Sequence, residues 1–113
     1  MKPKRVNDEL SISNQITTDD IPLIKAMGFK SLLCCRPDGE GLDQQLQAVI
    51  SKVAELADLN TAYLPISRAG PTRDEREALQ SLLASLPKPA LAYSEDQDRV
   101  LACLGVPQSS DVE

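Results

Sequence analysis

Histidine is absent from this chain of 113 residues. Without it there is no Ser-His-Asp or Cys-His nucleophile pair and no zinc site with a histidine ligand. The side chain that most often carries protons near neutral pH is also missing. Acid–base chemistry would therefore have to use carboxylates, lysine, tyrosine, cysteine or water.

Aromatic residues are scarce, and long apolar runs are missing. Aromatics make up 3% of the chain and apolar residues 42%, which predicts one domain with a modest core of Leu, Ile, Val and Ala. No apolar segment follows the basic start, residues 1–5, so we expect no signal peptide, no transmembrane helix and a cytoplasmic location. Three cysteines do not suit a secreted disulfide scaffold.

Acidic residues outnumber basic ones, 17 to 12, which gives a net charge of −5. This balance argues against a nucleic-acid partner and against an anionic membrane surface. We expect no cofactor and no metal ion. A partner, if there is one, is expected to be an unidentified protein or a small anionic ligand.

Apolar spacing predicts strands alternating with helices along the chain. The second helix has the clearest spacing, with Leu42, Leu46, Val49, Ile50, Val53 and Leu56 on one side. The third begins at Thr72 and Glu75, which match the capping-box pattern. The predicted strands are 10–13, 29–35, 61–66 and 90–93, and the predicted helices are 19–28, 42–56, 72–86 and 95–104.

This order predicts an α/β fold of three layers, with a central, mostly parallel sheet of four to five strands and helices on both faces. We expect a single domain over residues 1–105 and a disordered tail over 106–113. Ligands of such sheets bind outside the carboxyl ends of the strands. Three segments follow these ends, and they are 36–40, 67–70 and 94–99.

These segments carry a resemblance to the beta-lactamase-hydrolase-like phosphatase domains of bacteria. The matching segments are 12–17 (ISNQIT, with Asn14 where the family has Gly), 28–31 (GFKS), 36–40 (RPDGE), 64–66 (LPI) and 92–93 (AY). The resemblance implies a fold similar to that of tyrosine and dual-specificity phosphatases, with an active loop that resembles that of rhodaneses. Phosphomonoester hydrolysis is the activity that it implies.

The resemblance places the catalytic loop at 94–99, where the family carries Cys, Arg, Ser, Gly, Thr and Arg. Here the loop reads SEDQDR, so Ser94 stands at the position of the nucleophile and Arg99 keeps the anion-binding arginine. Asp38, in the RPDGE segment, is a candidate general acid. The alternative for Asp38 is a Pro-Asp-Gly turn kept for its shape, with Arg36 paired to an acid.

Electrostatics make phosphate binding unfavourable in this loop, which has three carboxylates and no glycine. Two unit charges about 4 Å apart interact by roughly 4 kcal/mol at an effective dielectric constant near 20. A hydroxyl at position 94 is also a far weaker nucleophile than a thiolate, and it needs a base. Ser94 and Gln97 match a capping box, so we predict that the loop has become a self-capped helix start.

The remaining candidates have structural alternatives. Arg68 and Arg99 are either a residual anion-binding pair or salt-bridge partners of nearby acids. Adjacent Cys34 and Cys35 would point to opposite faces of a strand, so we interpret them, like Cys103, as small buried hydrophobes rather than as a redox pair. The charged run 73–77 is expected to be a solvated helix face.

Three functions remain open. The first is a degenerate phosphatase-like domain that has lost its nucleophile and serves as a binding or regulatory module. The second is an active hydrolase that uses Ser94 or an unrecognised group. The third is a rhodanese-like sulfur transferase, which is the weakest because it requires a cysteine at position 94.

Overall fold

Strands and helices alternate along the chain, as the apolar spacing predicts. The computed structural model describes residues 1–42, 44–67 and 69–104. Its strands are β1 (Lys4–Arg5), β2 (Leu10–Ser13), β3 (Ser31–Cys34), β4 (Asn60–Tyr63) and β5 (Ala90–Tyr93). Its helices are α1 (Ile21–Ala26, preceded by a 3₁₀ turn at Thr18–Asp20), α2 (Gln47–Leu56), α3 (Arg73–Ser85) and α4 (Gln97–Leu104). The predicted tail, 106–113, lies outside the described residues.

The five strands form one mixed sheet in the order β1-β2-β5-β3-β4. Strands β2, β5, β3 and β4 are parallel, and only the β1–β2 pair is antiparallel. Strand β5 lies in the middle, where Ala92 is opposite Ile12 on one side and Leu33 on the other. The predicted α/β fold with a mostly parallel sheet is confirmed.

Alternating side chains place an apolar cluster on each face of the sheet. Leu33 and Cys35 belong to the cluster packed by α3 and α4, which also contains Ile12, Ile66, Leu79, Ala92, Val100 and Cys103. Leu32 and Cys34 belong to the other cluster, packed by α1 and α2, with Ile16, Ile21, Ile24, Ile50, Ala54, Leu91 and Tyr93. The predicted layers are therefore present, and the adjacent cysteines do point to opposite faces.

Helix α3 begins where the capping box predicts. The Thr72 hydroxyl accepts a hydrogen bond from the Glu75 amide at 3.1 Å, and the Glu75 carboxylate accepts one from the Thr72 amide at 2.9 Å. Two free amides of the first turn are thereby satisfied. In the charged run 73–77, every residue is exposed except Glu75, which is half-buried, so the expectation of a solvated helix face is largely met.

Helix α2 begins at Gln47, five residues after the predicted start at Leu42, which is fully exposed. Side-chain hydrogen bonds hold the preceding segment outside a helix. The Gln44 side-chain amide donates to the Pro37 carbonyl at 3.0 Å and accepts from the Gly41 amide at 3.1 Å. The Gln45 side-chain oxygen, Oε1, accepts a hydrogen bond from the Thr18 backbone amide at 2.8 Å. The apolar spacing therefore extended the prediction too far towards the N-terminus.

Smaller differences concern the ends of the other elements. The basic, exposed pair in β1 has no apolar alternation, so the sequence did not indicate this strand. The strand predicted at 61–66 ends at Tyr63, although Leu64 and Ile66 still donate hydrogen bonds to Cys34 and Cys35. Within the described part of the chain, every helix is too short or too polar to cross a membrane.

Candidate functional site

The carboxyl ends of β2, β5 and β3 meet at one edge of the sheet. The Cys35 amide donates to the Tyr93 carbonyl at 2.8 Å, and the Ser94 amide donates to the Ser13 carbonyl at 3.2 Å. Because β5 is the middle strand, Ser94 leaves the sheet between the ends of its two neighbours. The structure thus brings the RPDGE segment and the 94–99 loop together, as expected for a parallel sheet.

Ser94 is completely buried, and its hydroxyl has no hydrogen-bond partner among the described residues. The predicted Ser94–Gln97 capping box is therefore wrong. The first turn of α4 is instead capped by Asp96, whose carboxylate accepts a hydrogen bond from the Arg99 amide at 3.2 Å. An acidic side chain of this loop does cap the helix, but it lies two residues further along than predicted.

Arg99 is buried and joins three parts of the chain. Its Nη1 donates to both carboxylate oxygens of Glu40, at 2.8 and 2.9 Å, and to the Ile66 carbonyl at 3.2 Å. Its Nη2 donates to Glu95 Oε1 at 2.9 Å. The guanidinium of Arg99, the predicted anion-binding arginine, is therefore engaged by two carboxylates of the same chain.

Glu40 bridges Arg99 to a second buried arginine. Arg36 Nε donates to Glu40 Oε1 at 3.1 Å, and Arg36 Nη1 donates to the Gln15 side-chain oxygen at 3.1 Å. The Arg36 side chain lies so close to Gly41 that a Cβ on this glycine would be 2.8 Å from Arg36 Nη2. The expected pairing of Arg36 with an acid is confirmed.

We call Arg36, Glu40, Glu95 and Arg99 the arginine–glutamate cluster. The exposed fractions of these side chains are 9%, 14%, 38% and 7%. Two positive and two negative groups balance in this set, and its three shortest contacts have the lengths of charge-assisted hydrogen bonds. The positive potential that would attract an external anion is thus largely compensated within the chain.

The sequence indicated Arg99 as a site residue, but it did not indicate that Glu40 would be its partner. Arg68, predicted as the second member of an anion-binding pair, lies outside the described residues, whereas Arg36 shares Glu40 with Arg99. Glu40 and Arg99 are 59 positions apart, and no local pattern joins them. The only available signal was the prediction that both segments follow the carboxyl ends of strands.

Asp38 is exposed, and its carboxylate caps the start of helix α2. Its Oδ1 accepts a hydrogen bond from the Gln47 amide at 2.8 Å, at the first residue of α2, and its own amide donates to the Tyr63 hydroxyl at 3.0 Å. The carboxylate thus caps α2 from nine residues upstream, which agrees with a turn kept for its shape. The general-acid role of Asp38 stays a prediction.

The three thiols are free and buried. Burial raises the pKa of Cys34, Cys35 and Cys103, so all three remain protonated near neutral pH. Burial also raises the pKa of the Tyr93 hydroxyl, just before the loop. Because the thiolate is the reactive form, these cysteines are poor nucleophiles, in agreement with their interpretation as buried hydrophobes.

An acidic cleft of about 380 Å³ lies beside the start of α4. Its lining includes Ser67, Gly70, Pro71, Glu95, Asp96, Asp98, Arg99 and Ala102, and Ser94 is not among these residues. Within the described ranges, no group of three or more Cys, Asp or Glu side chains is arranged to hold a metal ion. The cleft thus reaches the arginine of the loop but not the buried hydroxyl.

Comparisons with known proteins agree on one family. The family model described as "Beta-lactamase hydrolase-like protein, phosphatase-like domain" matches residues 3–110. A beta-lactamase hydrolase-like protein of Agrobacterium fabrum is 34% identical over 122 residues, which cover 100% of this chain and 28% of the relative. One of Xylella fastidiosa strain Temecula1 is 28% identical over 101 residues, covering 89% and 23%. The chain thus spans about a quarter of these relatives.

Solved structures share the same fold. A candidate phosphatase of Neisseria meningitidis aligns with a TM-score of 0.84 and 27% identity, covering 90% of this chain and 72% of that one. A second structure, from Shewanella putrefaciens, aligns with a TM-score of 0.76 and 19% identity, covering 89% of this chain and 63% of that one. The catalytic core of a PP-IP phosphatase of S. cerevisiae, in complex with citrate, aligns with a TM-score of 0.65 and 13% identity, covering 84% of this chain and 56% of that one. The last two comparisons support the fold alone.

Proposed function

The chain belongs to the phosphatase-like domain family of the beta-lactamase hydrolase-like proteins, and on that premise we propose that it has lost phosphoester hydrolysis and serves as a binding or regulatory module. The observation that carries the proposal is the state of the 94–99 loop. Ser94 is buried, and Arg99 is held by Glu40 and Glu95.

A nucleophile needs both access and activation, and Ser94 has neither. Its side chain is fully buried, and no described residue accepts its hydroxyl proton. The chain has no histidine to act as a base. A serine hydroxyl without a base is a weak nucleophile, so attack on a phosphoester by this group is strongly disfavoured.

An incoming phosphate would also have to compete for Arg99. Two carboxylates already accept hydrogen bonds from this guanidinium, and the cleft beside it is lined by further acids, Asp96 and Asp98. Phosphoryl transfer depends on cationic groups that stabilise charge on the transferred oxygens. The carboxylates around Arg99 therefore oppose both the binding of a phosphoester and the stabilisation of its transition state.

The binding role is the part of the proposal that concerns partners. The fold is kept, but the charge of the loop arginine is compensated within the chain and the loop has no effective nucleophile, which suits binding rather than catalysis. We propose another protein or a small anion as the bound species. We also propose a cytoplasmic location, because free thiols such as those of Cys34, Cys35 and Cys103 are typical of reducing compartments.

An aryl phosphate assay tests the proposal on the unmodified protein, Ser94→Ala and Ser94→Cys. We expect no turnover by the first two proteins. A matched control is Ser13→Cys, which introduces a thiol at another fully buried serine at the end of a neighbouring strand. Turnover that appears in Ser94→Cys but not in Ser13→Cys would assign the loss of activity to the missing nucleophile.

The competing functions give different results in the same set of proteins. Turnover by the unmodified protein that disappears in Ser94→Ala would replace the proposal with a serine-dependent hydrolase. Persistent turnover in Ser94→Ala would indicate an unrecognised catalytic group. Thiocyanate production from thiosulfate and cyanide by the unmodified protein would favour sulfur transfer instead.

A further inference from the structure

Strand β4 is one of the two outer strands of the sheet, and its four residues, Asn60–Tyr63, are all uncharged. The other outer strand, β1, consists of Lys4 and Arg5, and both are exposed. A very short strand with charged side chains is a common way to keep a sheet edge from pairing with another chain. The β4 edge does not have the charges that protect β1.

Backbone groups of β4 point alternately towards β3 and away from the sheet. The amides of Asn60 and Leu64 donate to carbonyls of the neighbouring β3 segment, at 3.0 and 2.8 Å. In a parallel ladder the alternate residues, Thr61 and Tyr63, then direct their N–H and C=O groups outward. The next outward position is Pro65, which has no N–H. The edge therefore presents the N–H and C=O groups of two residues.

The side chains of β4 lie on both faces of the sheet. Ala62 packs against the apolar cluster on the α3–α4 face, whereas the Thr61 hydroxyl donates to Glu55 Oε2 of α2 at 2.8 Å. A groove of about 440 Å³ lies between α2 and this edge. Its lining includes Ala48, Ser51, Lys52, Glu55, Thr61 and Tyr63. The side of α2 that faces the groove thus combines two small residues with two opposite charges.

We propose that the β4 edge is a self-association surface, at which a second copy of this chain pairs antiparallel about a two-fold axis through Ala62. In this register Thr61 of each copy lies opposite Tyr63 of the other, and the two residues exchange their outward N–H···O bonds. The two Ala62 residues face each other at the close spacing of a non-hydrogen-bonded pair, which small side chains permit. The surface is separate from the 94–99 loop, so the inference goes beyond the proposed function.

Charges on α2 favour a second copy as the occupant. Glu55 lies level with Thr61, since their side chains are hydrogen-bonded, and α2 and β4 run in opposite directions because only three residues join them. A strand rises about 3.3 Å per residue and a helix about 1.5 Å, so Ala62 lies level with Val53. The axis then passes between Lys52 and Glu55, which places Lys52 of each copy opposite Glu55 of the other. A two-fold contact between identical surfaces requires such self-complementarity.

Sedimentation velocity over a range of protein concentrations tests the proposal, with circular dichroism to verify folding. We expect the unmodified protein to form a dimer. Thr61→Pro should be monomeric, because proline removes an outward N–H that the sheet itself does not use and that an edge strand can lose. Thr61→Val is the matched control, since it keeps the amide and removes only the hydroxyl that donates to Glu55, and it should remain dimeric.

Charge variants test the register of the two copies. Lys52→Glu should weaken dimer formation at least ~10-fold, because like charges would then face each other twice across the axis. The double variant Lys52→Glu/Glu55→Lys restores opposite charges and should recover the dimer. Lys25→Glu is the matched control, because Lys25 is an exposed lysine on α1, away from the β4 edge, and this variant should leave dimer formation unchanged.

Several results would overturn the inference. An unmodified protein that is monomeric up to its solubility limit would leave the β4 edge unpaired or open only to a different protein. A dimer that persists in folded Thr61→Pro would place the contact elsewhere. Equal effects of Lys52→Glu and Lys25→Glu, or a double variant that does not recover, would contradict the two-fold register. Should Thr61→Pro fail to fold, the charge variants alone decide the outcome.

Discussion

Replacing Ser94 with alanine should make the protein more stable, which is the reverse of the usual effect of a substitution in a core. The Ser94 hydroxyl is buried and has no hydrogen-bond partner among the described residues. Leaving a buried polar group unsatisfied costs about 1–3 kcal/mol. The substitution removes this cost and leaves a space of only one oxygen atom, so we expect a net gain of about 1 kcal/mol in the free energy of unfolding.

The assay is urea unfolding followed by circular dichroism, with thermal unfolding as a second measurement. For a chain of 113 residues, about 1 kcal/mol corresponds to a rise of roughly 4 °C in Tm. Ser13→Ala is the matched control, because Ser13 is equally buried but its hydroxyl donates to the Asn14 carbonyl at 3.0 Å.

The Ser13→Ala control should lose about 1 kcal/mol in the free energy of unfolding, because it removes a hydrogen bond that is present in the folded protein. The two serines lie at the ends of neighbouring strands, so differences in secondary structure do not separate them. A loss of stability in Ser94→Ala as large as that in Ser13→Ala would refute the reasoning. It would mean that the Ser94 hydroxyl finds a partner in the folded protein.

Two further predictions concern stability. Asp38→Ala should lower the free energy of unfolding by about 1 kcal/mol, because it removes the acceptor for the Gln47 amide at the start of α2; an unchanged urea midpoint would contradict this cap. Stability should also fall as the pH rises above 9.0, the ordinary pKa of a thiol, because the buried thiols keep protons that the unfolded chain releases. Their contribution is complete below that pH. Urea unfolding between about pH 7 and 10.5 measures the change, and a constant free energy of unfolding would contradict it.

The sequence predicted the order of elements because each element carries its own periodicity. Apolar residues at helical spacing, and short alternating or apolar runs, identified every described element except β1 and the 3₁₀ turn. The order of strands in the sheet depends on contacts between distant segments, which periodicity does not encode. The early predicted start of α2 has a related cause, since the hydrogen bonds of Gln44 and Gln45 to other segments compete with helix formation.

The error at Ser94 has a physical reason that alternation in a strand could have indicated. Ala90 and Ala92 belong to the apolar cluster on the α3–α4 face of the sheet. The Ser94 amide still bonds to Ser13, so the parallel pairing continues to this position and a period of two directs its side chain to the same face. A side chain directed into the core cannot cap α4, and Asp96 fulfils that role instead.

The structure also changes the physical reason for expecting weak phosphate binding at the 94–99 loop. From the sequence, the three carboxylates of the 94–99 loop would oppose a phosphate through their combined field, and relief would require the removal of several charges. In the structure, Glu95 accepts from the Arg99 guanidinium and Asp96 accepts from the Arg99 amide. Both acids thus satisfy donors of the loop itself. The strongest competitor for Arg99 is Glu40, which comes from another segment and contributes two oxygens. Pairing of the Arg99 donors within the chain is therefore a second reason to expect weak phosphate binding, in addition to repulsion by the nearby carboxylates.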